Sequence, residues 1–264
     1  MQNFLIGCDP ELFCFNPQTA SFFSAHEYVP GTKQEPYLVD GGAIQVDGTA
    51  VEVNINPVDN AEDFFGNIYR VIESAYTYLP EGTELHAKPT IYYAEGYYQA
   101  LPRRVRTIGC ERDRDAWNSG ILNETPPHAV IGEAQGGGHV HIGWTEDQPM
   151  RNPIHRQMCI DMIKQMDFYV GVSSLLWDDD DARRKGYGRA GAFRVKPYGV
   201  EYRTPSNRWL RTKELCTEVF DLTMLAATRY RDGERLFDDY GNVAKEIIES
   251  SNKAEAKELL DAIL

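Results

Sequence analysis

The sequence predicts an α+β protein, on three observations. Four short stretches alternate apolar and polar residues with the period of two that belongs to a strand. Five longer stretches repeat apolar residues at helical spacing. Asp47-Gly48 sits between two alternating runs, a strong local signal for an antiparallel hairpin.

Taken in order, Ile6, Cys8 and Leu12 oppose Asp9 and Glu11 in the first strand-like stretch. Residues 43–53 read as the hairpin. A two-residue turn at Asp47-Gly48 would set Val46 against Thr49 and Ala43 against Glu52, with Gln45 on the face of Glu52. Val51, Val53 and Ile55 then alternate with Glu52, Asn54 and Asn56. Residues 61–79 carry Phe64, Phe65, Ile68, Val71, Ile72, Ala75 and Leu79 at helical spacing, with Asn60 as N-cap and Pro80 as stop. Residues 84–95 suggest another strand, and 96–135 read mostly as loop. Val140, Ile142 and Trp144 alternate with His139, His141 and Gly143. A helix over 154–176 would put Met158, Met162, Met166 and Tyr169 in the core. Val200, Tyr202 and Thr204 alternate with Glu201 and Arg203, and 212–230 is a long helix with Leu215, Val219, Leu222 and Ala226 in phase. Residues 243–250 and 253–263 are amphipathic helices with solvated charged faces. No linker or repeat interrupts the chain, so a single domain over 1–264 is expected.

Composition narrows the class. The chain has 264 residues, 42% hydrophobic and 25% charged, which suits a globular protein with a large core. No apolar run approaches the ~20 residues of a membrane helix, and residues 1–6 lack the basic and apolar regions of a signal peptide. The five cysteines are an odd number without metal-type spacing, which predicts buried thiols in a reducing compartment. A net charge of −13 argues against a general nucleic-acid binder, although it leaves room for a small anionic ligand.

The polar sides of the strands are unusual. Ordinary solvated strand faces carry Thr, Lys, Ser and Gln, whereas these carry Asp9, Glu11, Glu52, Glu201, His139 and His141. Hard divalent cations take oxygen ligands, often carboxylates from separate strands, so Asp9, Glu11, Glu52 and Glu201 could converge on one. The alternative is exposed carboxylates on separate edges. His139 and His141 point the same way and could hold a metal or an anion, or form a two-histidine, one-carboxylate site with Glu201; they could also be a half-buried structural pair. Gly136-Gly137-Gly138 would leave backbone room for a ligand. After the acidic run Asp178–Asp181 come Arg183, Arg184, Lys185, Arg189, Arg194 and Lys196, interleaved with glycines. Such a stretch suits a polyphosphate, or else a solvated loop whose charges pair locally. It lacks the P-loop spacing. Ser24-Ala25-His26 and Pro30-Gly31-Thr32-Lys33 offer a turn that could touch substrate. A dinucleotide-binding fold is not expected, and no nucleophile elbow is present in the sequence.

Six blocks, in this order, resemble the carboxylate–amine ligases of phiEco32-like phages: Ile6-Gly7-Cys8-Asp9-Pro10-Glu11, Pro30-Gly31-Thr32-Lys33, Gly41 to Gly48, Glu52-Val53-Asn54-Ile55-Asn56-Pro57, Gly137 to Gly143, and Lys196 to Thr204. The resemblance runs from about residue 5 to about residue 210, and the last fifty residues add nothing specific to it. It implies the fold of glutamine synthetase and glutamate–cysteine ligase, a curved antiparallel sheet with helices packed on its convex face. It implies ATP with Mg2+ or Mn2+, and a carboxylate phosphorylated to an acyl-phosphate that an amine then displaces. By position, Glu11, Glu52, His139 and Glu201 would be metal ligands, and Arg203, Glu52 and Glu201 catalytic. Arg183, Arg184, Lys185, Arg194 and Arg203 would reach the nucleotide, while Asp9, Gln45, His141 and Lys33 would stand behind these or touch substrate. The implied partners are small or peptide-like carboxylates and amines, with a homo-oligomer allowed and a cytoplasmic site of action, the host's if the chain is phage-encoded. Three other readings compete: an ATP:guanidino-type phosphotransferase of the same architecture, a metal-dependent hydrolase or oxygenase built on His139, His141 and Glu201, and a virion or binding protein that keeps the fold without turnover.

Overall fold

In the computed structural model of the chain, residues 4–106, 112–124 and 130–264 are described. Strands β1 (Leu5–Cys8) and β2 (Glu11–Asn16) are two halves of one extended run, broken at Asp9-Pro10. Then come β3 (Ser21–Phe23), β4 (Tyr37–Val39), β5 (Gly42–Asp47) and β6 (Ala50–Ile55), followed by helix α1 (Ala61–Tyr76). Residues 84–95 hold two short strands, β7 (Glu84–His86) and β8 (Thr90–Tyr92). The stretch read as loop contains helices α2 (Glu95–Ala100) and α3 (Arg103–Arg106) and strands β9 (Arg114–Asp115), β10 (Ile121–Leu122) and β11 (Glu133–Gln135). These pieces are too short for a periodic pattern to register, which explains the difference.

Strand β12 (Val140–Gly143) is followed by α4 (Pro153–Met166), α5 (Val172–Trp177), α6 (Asp181–Gly186), β13 (Ala192–Lys196) and β14 (Gly199–Tyr202). The chain then turns through helices α7 (Lys213–Arg231), α8 (Leu236–Asp239), α9 (Val243–Ser250) and α10 (Lys253–Ile263). No helix among the described residues is long and apolar enough to cross a membrane.

One large sheet runs β1-β12-β14-β13-β9-β10 and a second β3-β2-β6-β5-β4, with β7 also on β2, while β11 and β8 form a separate two-stranded pair. The run from Leu5 to Asn16 belongs to both. Ile6 and Val58 exchange two further backbone hydrogen bonds, at 2.7 and 2.9 Å, tying the β6 end to β1. The two sheets therefore join through one bent strand into a curled antiparallel half-barrel. Proline at position 10 has no N–H to give a ladder, which suits the point where the strand changes partners.

The hairpin keeps its predicted faces but not its predicted register. Observed pairs are Asp47 with Ala50, Val46 with Val51 and Gln45 with Glu52, so the turn is Gly48-Thr49. Gly48 takes φ +56 while Thr49 does not enter the positive region, the pattern of a turn with glycine first. Moving the turn by one residue shifts the pairing by two, and a shift of two leaves every side chain on its face.

The apolar sides of both sheets turn toward the helices. Ile6, Cys8, Val51, Val53, Val140, Ile142, Val200 and Tyr202 share one buried cluster with Phe64, Ile68, Met162, Phe168 and Val219 of the helical segments. Asn60 caps α1 by accepting from the Asp63 N–H at 2.9 Å, and the helix ends at Tyr76, before Pro80. Phe64, fully buried, meets Phe220 of α7 at 5.2 Å between ring centroids and Trp209 at 6.0 Å. Helices α4 and α5 are continuous through a wide turn at Asp167–Gly171, where a Cβ on Gly171 would lie 2.5 Å from the Tyr202 hydroxyl. Met162, Met166 and Tyr169 are buried there, but Met158 is 37% exposed; the methionine face turns out of the core before its first member. By the alternation of the pleat, the sheet face opposite the helices is left to the polar residues.

Candidate active site

Three strands bring the first group of polar side chains together. Glu11 pairs directly with Glu52 across β2 and β6, and Gln45 pairs with Glu52 across β5 and β6. Glu52 Oε1 accepts from Gln45 Nε2 at 2.7 Å and from Asn54 Nδ2 at 3.3 Å, and Glu11 Oε2 accepts from the Gly137 N–H at 2.9 Å. Asp47, at the end of the same hairpin, completes the group: one carboxylate oxygen each from Glu11, Asp47 and Glu52 lies within 4.8 Å of the others. Burial pushes the Glu11 carboxyl up to about 8; Asp47 adds to this, and the Gly137 N–H and Arg203 only partly oppose it. Glu52 is likewise raised well above its ordinary value, by burial first and then by Asp9, Asp47 and Glu11, with Lys33 opposing. Like charges crowded in a buried place favour protonation unless a cation enters.

The second group lies across β1, β12, β14 and β13. His141 pairs with Glu201, and Glu201 with Arg194. Asp9, His141 and Glu201 each offer a ligand atom within 4.8 Å of the others. Here the negative charge is already answered. Glu201 Oε1 accepts from Arg203 Nη1, with Arg194 Nη1 at 3.4 Å, and Oε2 lies 2.7 Å from Lys196 Nζ. Burial alone would raise the Glu201 carboxyl, but Arg203, Lys196 and His141 outweigh it and hold the group well below the usual carboxylate range. Asp9 is also held low, because His141 and His139 override its burial.

Between the two groups a directed chain of hydrogen bonds fixes Arg203. Its Nη2 donates to the Tyr187 hydroxyl at 2.5 Å, and that hydroxyl stands 3.3 Å from His139 Nε2. His139 Nδ1 stands 3.0 Å from Asp9 Oδ1, and His141 Nε2 stands 3.2 Å from Asp9 Oδ2. The Tyr198 hydroxyl is 2.5 Å from His141 Nδ1. One assignment gives every donor an acceptor: Arg203 to Tyr187, Tyr187 to His139 Nε2, and both histidines to Asp9. Burial first, then Arg203, lowers the His139 pKa to about 4, against the pull of Asp9 and Glu201, so this imidazole is neutral at pH 7.

The expected residues are therefore only partly brought together. Glu11 and Glu52 converge, with Asp47, whereas Glu201 falls in the other group. His139 belongs to neither set of three; its Nδ1 stands between Asp9 and Glu201, 3.7 Å from Glu201 Oε1, and its Nε2 faces Tyr187. Ligand atoms of His139, His141 and Glu201 do not all gather within 4.8 Å of one another among the described residues.

Arg183 and Arg184 do not reach outward as expected. Arg183 is 1% exposed and donates to the carbonyls of Thr204 at 2.8 Å and Pro205 at 3.0 Å. Arg184, 6% exposed, donates to the Asp178 carbonyl at 2.8 Å and to Asp181 at 3.1 Å. The short helix α6 turns both guanidinium groups inward, where they satisfy buried acceptors; Lys185 alone of the three is exposed. Arg194, Lys196 and Arg203 do join the polar face. Gly136-Gly137-Gly138 also has another role: a Cβ at Gly136 or Gly138 would strike Asn207 or Ser206, so at these two positions glycine lets two backbone segments pack closely.

Lys33 is exposed and acts on Glu52 through its charge, and His26 Nδ1 binds the Ser24 hydroxyl at 2.9 Å within its own turn. Cys8, Cys14, Cys159 and Cys216 are buried free thiols, and Cys110 lies outside the described residues. The site also contains Tyr187, Tyr198, Asp47 and Asp113, the last with Oδ2 3.7 Å from Arg203 Nε. None was marked by alternation: Asp47 looked like a turn residue, Tyr187 sits between glycines, and Asp113 lies in an irregular stretch.

A family described as phage phiEco32-like COOH.NH2 ligase-type 2 matches residues 131–262 of the chain. The protein belongs to this phiEco32-like COOH–NH2 ligase family. The match takes in β12, β13 and β14 and continues through the C-terminal helices, which had seemed unspecific in sequence. The blocks around Glu11 and Glu52 lie before it. No curated protein matches the chain in sequence. Among solved structures, the chain is similar to a bifunctional glutathione synthetase from Pasteurella multocida, with 12% identity, a TM-score of 0.42, and coverage of 99% of this chain and 49% of that one. The chain thus spans about half the length of that enzyme.

Proposed function

We propose that this ligase uses ATP with Mg2+ or Mn2+ and proceeds through an acyl-phosphate, on a half-barrel of the glutamine synthetase type. The observation that carries the reading is the division of the polar face. One half gathers three carboxylates whose burial and mutual repulsion call for a cation. The other half offers Arg194, Lys196 and Arg203, held in place by Glu201. An all-oxygen donor set of Glu11, Asp47 and Glu52 fits a hard divalent ion better than a soft one. Bound there, the ion would neutralise charge on phosphate oxygens.

In this reading a substrate carboxylate oxygen attacks the γ-phosphorus, the bond to the β-phosphate oxygen breaks, and ADP leaves. The amine then attacks the acyl carbon, the carbon–oxygen bond to phosphate breaks, and the proton shed by nitrogen goes to solvent. The chain's own residues have electrostatic and positioning work. Arg203 faces the transferred group from a fixed position, because Glu201 and Tyr187 hold both ends of its fork; preorganised charge of this kind lowers the barrier to phosphoryl transfer. Glu201 aligns the three cations, and Asp9 with His139 and His141 braces the wall behind them. Glu52, oriented by Gln45 and Asn54, presents its carboxylate to the cation.

The test is product analysis. The enzyme, ATP, Mg2+ and a panel of amino acids and peptides are followed by phosphorus NMR and product mass. ADP, phosphate and a new amide are expected. AMP with pyrophosphate would replace the acyl-phosphate route by an adenylate, a phosphorylated acceptor without an amide would indicate a phosphotransferase, and turnover without nucleotide would remove ATP from the reaction.

A further inference from the structure

A cavity lies behind strand β2, away from the catalytic face. Its volume is about 390 Å³, within the usual range for small-molecule sites. Successive residues of a strand face opposite ways: Glu11 projects to the catalytic side, while Leu12 lines this cavity. The floor is apolar, with Leu12 and Leu85, and the polar lining is basic, with His86, Lys88, Arg208 and Arg211. Among the described residues no Asp or Glu lines it, in a chain whose net charge is −13.

Arg208 and Arg211 come from the short helix Asn207–Arg211, and Lys88 from the segment after β7. Arg208 Nε is buried without a hydrogen-bond partner among the described residues, and leaving a buried donor unmet is costly. A carboxylate that feels its charge, Asp179, is taken by Lys253. Lys88 Nζ is engaged elsewhere, 5.3 Å over the Phe22 ring on the Glu11 side of β2, and His86 Nε2 is 2.8 Å from Glu84.

We infer that this cavity binds a small anion with an apolar body, its phosphate or carboxylate head held by Arg208 and Arg211 and its body lying on Leu12 and Leu85. Arginine forks suit either head, and the apolar floor favours an organic anion over a bare one. Such a ligand is separated from the reacting groups by the backbone of β2, so the site is distinct from the catalytic one.

The full chain in excess chelator is titrated by calorimetry with phenyl phosphate, benzoate and inorganic phosphate. At least one organic anion should bind more tightly than inorganic phosphate, and the tighter of the two identifies the head. Arg211 is exposed, so Arg211→Glu should fold as the parent does, which circular dichroism checks. It should weaken the organic anion by about tenfold or more, the scale of one charge-assisted hydrogen bond. Absence of saturable binding up to about 10 mM, affinity unchanged in the variant, or inorganic phosphate binding most tightly would overturn the inference.

Discussion

Glu11 offers the most direct test of the divided face. Its carboxyl has an ordinary value of 4.5 and is raised to about 8 in the folded chain. Between those values the folded state holds a proton that the unfolded state has released, so stability falls as pH rises from 4.5 to about 8 and stays at the lower level above. At pH 7 the difference spans about 2.5 pH units, or at most about 3 kcal/mol at 1.36 kcal/mol per unit. Glu11→Gln removes the charge and keeps an acceptor for the Gly137 N–H. In excess chelator the variant should therefore be more stable than the parent at pH 7, by up to about 3 kcal/mol, and the advantage should vanish near pH 4.5. Added Mg2+ should reverse the order, because a ligand that binds only the folded parent stabilises it by mass action. Urea unfolding at a series of pH values, with chelator and with Mg2+, reads both effects. A variant less stable than the parent in chelator at pH 7, or an equal response of both proteins to Mg2+, would refute the assignment of this cluster as a cation site.

Other expectations follow from the same geometry. Arg203→Ala should cut amide formation by ~10²–10³-fold with a smaller loss of nucleotide affinity, and Arg203→Lys should restore only part because lysine lacks the planar fork; normal turnover in the alanine variant would remove Arg203 from the mechanism. Tyr187→Phe keeps the ring that lies 5.1 Å from the Arg203 guanidinium carbon but loses the hydroxyl linking Arg203 to His139. Its kcat should fall by about tenfold with KM little changed, as for one lost hydrogen bond to a charged group, and an effect on KM alone would contradict a positioning role. Phe64→Ala should cost about 3–5 kcal/mol in denaturant unfolding while leaving Mg2+ affinity intact; a cost under about 1 kcal/mol would show that the helix layer is not packed on β5 and β6 through this ring.

What was legible in the sequence was what a strand or helix imposes locally. Alternation placed Glu52 with Gln45, and His141 with the face of Glu201, because a period of two survives even a misplaced turn. Helical spacing found α1, α7, α9 and α10 because each has a broad apolar stripe to bury. The partners that decide chemistry were hidden because they arrive through tertiary structure. Asp47 joins Glu11 because β6 pairs with β2 on one side and β5 on the other, setting Glu11 and Gln45 opposite Glu52 with Asp47 two residues beyond Gln45. Tyr187 reaches Arg203 because the segment after α6 folds back over β14. Arg183 is a clear failure of composition as a guide: a basic window looked like a phosphate grip, and its most buried member instead holds the carbonyls of Thr204 and Pro205.

That failure also explains the site. A guanidinium can serve a ligand only if its position is set by something else, and the chain spends Arg183 on this. By binding the carbonyls of residues 204 and 205, and of Arg203 itself at 3.4 Å, Arg183 fixes the exit of β14 immediately beside the Arg203 side chain. Tyr187 places its ring within 5.2 Å of the Arg183 guanidinium carbon and its hydroxyl on Arg203, so the two arginines are linked through one aromatic side chain. In the proposed mechanism, Arg203 would then hold a buried charge next to Glu201 without rearranging when a phosphate arrives. Arg183→Lys tests this division of labour. Lysine keeps the charge but cannot fork onto several carbonyls at once, so turnover should fall with Arg203 still present, and the His139 resonances should shift in NMR as the chain through Tyr187 loosens. Full turnover with unshifted His139 resonances would mean that Arg203 is positioned by Glu201 alone.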